Sequence, residues 1–87
     1  MLPAFDATMT RYFFDVRRND ELVTDVEGTD LPDIGAAQQE AILSLAEMAR
    51  DRILDHDSVR RLAIEVRDQE KSVLAARLVW EIELHNN

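Results

Sequence analysis

The chain has 87 residues, 46% of them hydrophobic and 32% charged, which allows one domain of ordinary globular character. Eighteen acidic residues against ten basic ones give a net charge of -8; no nucleic acid partner is therefore expected, because phosphate recognition needs a basic patch that survives the overall field. The absence of cysteine removes disulfides and thiolate metal sites and fits a reducing cytoplasm.

The opening stretch "MLPAFDATMT" has neither a basic region nor a long apolar run, so it does not read as a signal peptide. Nothing in the chain approaches the roughly 18 consecutive apolar residues of a membrane span. Alternation begins at Tyr12. Tyr12, Phe14 and Val16 fall on one face of a strand, with Phe13, Asp15 and Arg17 on the other. "RRND" supplies turn residues, after which Leu22, Thr24 and Val26 resume an apolar face with Val23 and Asp25 opposite. The two strands read as a β-hairpin. Gly28 marks the exit from the second strand.

Residues 33 to about 54 change period. Ile34, Ala37, Ala41, Leu45, Met48 and Arg52 form one row, widened by Ala36, Ile42, Ala46, Ala49 and Ile53, the pattern of an amphipathic helix. Asp33 is its N-cap, accepting from free N–H groups of the first turn, and Pro32 discourages an earlier start. "DHDS" at 55–58 ends the helix as a polar loop. Alternation then returns, with Leu62, Ile64 and Val66 against Ala63, Glu65 and Arg67. "RDQEKS" turns the chain into a longer strand with Leu74, Ala76, Leu78, Trp80 and Ile82 on one side.

These elements predict an α+β fold in the order ββαββ, a two-layer sandwich of a four-stranded antiparallel sheet with one long helix on its apolar face. The domain spans 10–84, with 1–9 an N-terminal extension and 85–87 a polar tail. Its expected core is Tyr12, Phe14, Val16, Leu22, Leu45, Ile64, Leu78 and Trp80. Four strands span about 19 Å, whereas one helix is about 10–12 Å across. Part of the apolar face therefore stays open, to be covered by Leu2 and Phe5 or by a second subunit; a homodimer is the favoured expectation.

The stretches "RYFFDVR", "EGTDLPD", "LAEMARD" and "LAIEVRD", spread over residues 9 to about 83, resemble a family of short bacterial proteins carried as a domain of unknown function. The resemblance implies no known activity and lends no catalytic residues. It points to Met9 as the natural start. Similar proteins tend to carry a glycine in the last turn, where this chain has "RDQEKS", which implies a different turn type. Two strands followed by an A-x-x-E-A helix (Ala37 to Ala41) also resemble the antitoxin partner domain of a bacterial toxin–antitoxin class.

Candidate chemistry is sparse. Asp15, Asp25, Glu65, Glu81 and Glu83 share the polar side of the predicted sheet, and clustered carboxylates can hold Mg²⁺ or Ca²⁺ or share a proton. Arg17, Arg67 and Arg77 lie on the same side, so cross-strand ion pairing is the simpler account. His56 and His85 lack a nucleophile in a supporting motif, Ser44 and Ser58 lack a triad, and two glycines leave no phosphate loop. No catalytic, cofactor or metal residue is assigned. The expected function is non-catalytic and rests on protein–protein contact, with Phe13, Val23 and Val79 as the contact surface; Phe13 would pack across strands against Val79 or Val23. The alternatives are an antitoxin-like or stress-linked regulator whose acidic surface binds a basic protein, and a metal-binding or enzymatic acidic sheet face.

Overall fold

The computed structural model describes residues 9–54 and 59–85. Leu2, Phe5, His56 and Ser58 lie outside them. The elements run β1 (Thr10–Arg18), β2 (Glu21–Val23), β3 (Thr29–Leu31), α1 (Ile34–Leu54), β4 (Arg61–Arg67) and β5 (Ser72–Val79). The fold is α+β, with one helix on an open, five-stranded antiparallel sheet.

The expected four-strand ββαββ layout needs one correction. "TDL" after Gly28 forms the extra strand β3, pairing Tyr12 with Thr29, Arg11 with Asp30 and Thr10 with Leu31. A three-residue strand is too short to display an alternating pattern, which is why the sequence hides it. β2 and β3 both lie along one edge of β1, β4 takes its other edge, and β5 lies outside β4. The chain passes from β3 through α1 to β4, with β1 between those two strands.

Local chemistry explains the connections. Asn19 opens the β1–β2 turn with φ 52, a left-handed conformation that asparagine tolerates better than most residues. Its Oδ1 accepts the N–H groups of Arg60 and Arg61, each at 3.2 Å, and its own N–H donates to the Arg61 carbonyl at 2.9 Å. One turn residue thereby pins the start of β4. The "RDQEKS" turn closes on Asp68, whose Oδ1 accepts from Glu70 N at 2.7 Å and Lys71 N at 2.8 Å. Those two donors hold the Asp68 carboxyl below its ordinary range. At the helix start, Asp33 Oδ1 accepts from Ala36 N at 2.8 Å, the N-cap bond that satisfies a free first-turn donor.

The core forms where α1 meets β4 and β5. Ala37, Ala41, Leu45 and Ala49 are its buried helical residues, spaced four apart so that they stack along one line. Three of the four are alanine, so the helix can approach the sheet closely. Beneath them lie Leu62, Ile64 and Val66, with Tyr12 beside them; Phe14, Val16, Leu31, Leu74, Ala76 and Trp80 are among the partly buried residues packed against this cluster.

Because α1 sits over β4 and β5, the apolar face of β1 and β2 is less covered. Phe14 and Val16 are half-buried there, and Val23 is exposed. An open groove lined by Phe14, Val16, Ser44, Glu47, Met48, Asp51 and Ile64 runs along this side of the helix.

Two expectations about register are overturned. The tight turn pairs Arg18 with Glu21, so Leu22 falls opposite Arg17 and Val23 opposite Val16. Leu22 therefore leaves the expected core for the charged face, 42% exposed, and Val23 takes the helix-side face. Adjacent strand residues point to opposite faces, so a one-residue shift exchanges them. Leu78 does lie on the helix side, opposite Leu62, but at the sheet margin, where it is 37% exposed.

Candidate functional site

The face of the sheet away from α1 carries the charged side chains. Register sets Phe13 opposite Arg67, Asp15 opposite Glu65 and Arg17 opposite Ala63. The Arg67 guanidinium lies 4.5 Å from the centroid of the Phe13 ring, in cation–π range. Its Nε donates to Asp15 Oδ2 at 2.9 Å and its Nη2 to the Asp25 carbonyl at 2.9 Å. Asp15 is buried, and its Oδ1 accepts the Asp25 N–H at 2.9 Å.

Asp25 occupies the gap between β2 and β3. In that gap β1 has no strand neighbour, so the Phe14 N–H would be an orphan donor. Asp25 Oδ2 accepts it at 3.0 Å, while Oδ1 accepts the N–H groups of Glu27 and Gly28, each at 3.1 Å. One carboxylate thus replaces a missing length of strand. The Phe14 N–H is the main cause that holds the Asp25 carboxyl below its usual range, helped by Gly28, Glu27 and the Arg67 charge and opposed by burial.

Gly28 closes the loop over Phe13 with φ +77, and a Cβ there would stand 2.8 Å from Arg11 Cγ and 2.9 Å from Phe13 Cε2. Phe13 is therefore half-buried beneath a glycine and an arginine. The expected pairing of Phe13 with Val79 or Val23 is not made. Val23 lies on the other face, and Val79 pairs with Arg61, six residues along β4 from Arg67, the partner of Phe13. The three residues expected to form one contact surface lie in three separate places.

Asp15, Asp25 and Glu65 are each engaged. Glu65 receives Arg17 Nε at 2.6 Å and Nη2 at 3.3 Å, and this arginine is the main reason its carboxyl sits below the ordinary range. Glu81 and Glu83 follow the end of β5, away from Asp15 and Asp25. Among the described residues no group of three His, Cys, Asp or Glu side chains is arranged to hold a metal ion. His85 Nε2 lies 3.7 Å from Glu83 Oε1, and both are exposed. Ser44 lines the groove beside α1 with Glu47 and Asp51.

At the other end of the charged face, Arg17, Asn19, Arg61, Leu62, Ala63, Arg77, Leu78 and Val79 line a small hollow. Three arginines converge here in a strongly acidic chain. Alternation puts Arg17 and Arg77 on this face; that Arg61 lies between them follows from the pairing of β1, β4 and β5.

A family model described as a domain of unknown function matches residues 11–79, from the second residue of β1 to the last of β5. The chain belongs to the DUF6894 family. No curated protein and no solved structure gives a significant match. The matched span of DUF6894 thus takes in the described sheet except Thr10, the helix and the Asp15–Arg67–Asp25 network.

The two outer edges of this DUF6894 sheet differ sharply. On one side β2 and β3 are three residues each, broken by the Asp25 loop and followed by Pro32, all devices that deter further strand pairing. On the other side β5 runs for eight residues with no proline and one charged residue, Arg77. Trp80, Glu81, Ile82, Glu83 and Leu84 continue its alternation without a strand partner. Among the described helices none is long and apolar enough to cross a membrane.

Proposed function

We propose that this DUF6894 domain is a small non-catalytic protein that works through protein–protein contact and assembles as a homodimer in a bacterial cytoplasm. The carrying observation is the apolar surface around the end of β5. Val79 is 67% exposed, Ile82 62% and Leu84 90%, next to a strand edge with open backbone groups. Apolar side chains grouped at an open edge favour association. Three of the carboxylates that would serve an enzyme or a metal ion, Asp15, Asp25 and Glu65, are instead held by backbone N–H groups and arginines, which supports a structural use of that part of the charged face.

Sedimentation velocity at high micromolar concentration tests this reading. A species near twice the 10.0 kDa chain mass is expected, and a strictly monomeric one would count against it.

The net charge of -8 favours a second reading, in which the dimer is an antitoxin-like or stress-linked regulator that binds a basic protein. Such binding would weaken steeply with added salt, because exposed charges are screened within about 10 Å at 0.1 M.

A further inference from the structure

We propose that two copies of the chain join edge to edge through β5 and residues 80–84, antiparallel, about a two-fold axis at Val79. The inference rests on the homodimer reading and specifies its contact.

Backbone direction comes first. Trp80 N donates inward to the carbonyl of Arg60, the residue just before β4, at 3.0 Å. Hydrogen-bonding direction alternates along an antiparallel strand. Leu78 and Ala76 therefore also face β4, while Ala75, Arg77 and Val79 direct their N–H and C=O groups outward; the register shift opposite Val66 and Arg67 ends this alternation before Val73. Continued in the same sense, Glu81 and Glu83 do likewise. Val79 can then exchange both backbone bonds with the partner's Val79. The axis is normal to the sheet, so both helices lie on the same side.

The side chains match in that register. On the charged face Arg77 meets the partner's Glu81, and the symmetry makes this pair twice. Arg77 is exposed and borders the hollow with Arg17, which is paired with Glu65, and Arg61, which lies 3.6 Å from Asp20, so Arg77 is the arginine there that the partner's Glu81 meets. On the helix side Leu78 meets the partner's Trp80, Ala76 meets the partner's Ile82, and Leu74 meets the partner's Leu84. Each half of the strand thus complements the other when reversed. Opposite-charge and apolar cross-strand pairs are the contacts that stabilise and register a sheet.

Neighbouring registers do worse. A two-fold at Leu78 sets Arg77 against the partner's Val79 and so loses both Arg77–Glu81 pairs, whereas the Val79 register keeps them and sets only Glu83 opposite the partner's Ala75. One at Trp80 keeps an arginine pair, with the partner's Glu83, but presses each Val79 against a glutamate and shortens the ladder. The Val79 register also covers Val79, Ile82 and Leu84, three of the most exposed apolar side chains. It turns the unguarded edge into the centre of a ten-stranded sheet, leaving the blunted β2–β3 edges outermost.

The native chain has no cysteine, so single-cysteine variants report without interference. Paired Cα atoms at this hydrogen-bonded position would be about 5.5 Å apart, within disulfide range. Val79→Cys is expected to give a covalent dimer on mild oxidation, and Val23→Cys, at the opposite edge, is not. Arg77→Glu sets two pairs of glutamates face to face and should raise the dimer dissociation constant about tenfold or more; Arg77→Glu with Glu81→Arg should return it to within a few-fold of the wild type. Thermal melts of each variant show that the fold is kept. An unchanged dissociation constant for Arg77→Glu, or equal crosslinking at positions 79 and 23, would overturn this contact while the wild-type dimer keeps the broader reading intact. A wild-type chain that sediments as a monomer would overturn both.

Discussion

Ile64→Ala is expected to lower stability by about 2–5 kcal/mol, a large part of the roughly 5–15 kcal/mol typical of a folded domain. Ile64 is 1% exposed and sits in β4, with Val16 of β1 on one side and Ala76 of β5 on the other. The cluster above it includes Ala37, Ala41 and Ala49. Alanines are too short to fill the space that a lost isoleucine would leave, and both neighbouring strands are fixed by backbone bonds. The cavity term therefore adds to the lost transfer energy. Urea unfolding would measure the loss directly, and the melting temperature should fall by at least about 10 °C. Ile64→Val, which keeps most of the volume, should cost about 0.5–1.5 kcal/mol. If Ile64→Ala unfolded within error of the wild type, the centre of the core would have to lie elsewhere.

Asp25→Ala is expected to cost about 1.5–3 kcal/mol, the scale of hydrogen bonds to a charged acceptor. The variant removes the acceptor for the N–H groups of Phe14, Glu27 and Gly28, and the loop over Phe13 loses its internal tie. The folded Asp25 carboxyl lies below its ordinary value. Its contribution is therefore complete above the unfolded value of about 3.9 and is lost as pH falls through the folded value. Glu65 acts in the same direction through Arg17. Acid unfolding of the wild type should steepen below about pH 4, and the Asp25→Ala chain should lose part of that dependence. Parallel stability–pH curves for the two proteins would show that Asp25 carries no such linkage.

Much of the architecture could be read in advance from side-chain period. The helix announced itself through Asp33 and the Ala37–Ala41–Leu45–Ala49 row, and β1, β4 and β5 through strict alternation. What escaped was set by short-range backbone geometry. β3 has only three residues, so no period could reveal it. The register of β2 depends on a two-residue turn at Asn19–Asp20, and reading "RRND" as a longer connection moved Leu22 and Val23 to the wrong faces.

The charged face was legible in composition and not in connectivity. Alternation placed Asp15, Glu65, Arg17 and Arg67 together correctly. It could not show that Asp25 turns inward to fill a gap in the sheet edge, because that gap arises only once β3 forms. The surplus aromatic in "YFF" and the glycine in "DVEG" were the available signals. Phe13 needs a roof, and Gly28, which must lie flat against a ring, provides it.

Amide hydrogen exchange along β5, followed as the wild-type protein is diluted, tests the proposed assembly most directly. The inward amides of Ala76 and Leu78 should exchange slowly at every concentration at which the domain is folded. The outward amides of Arg77 and Val79 should be slow at high micromolar concentration and become fast as the dimer dissociates. Fast exchange at Arg77 and Val79 under all conditions, with Ala76 and Leu78 still protected, would show that the β5 edge stays open to solvent and would contradict the account.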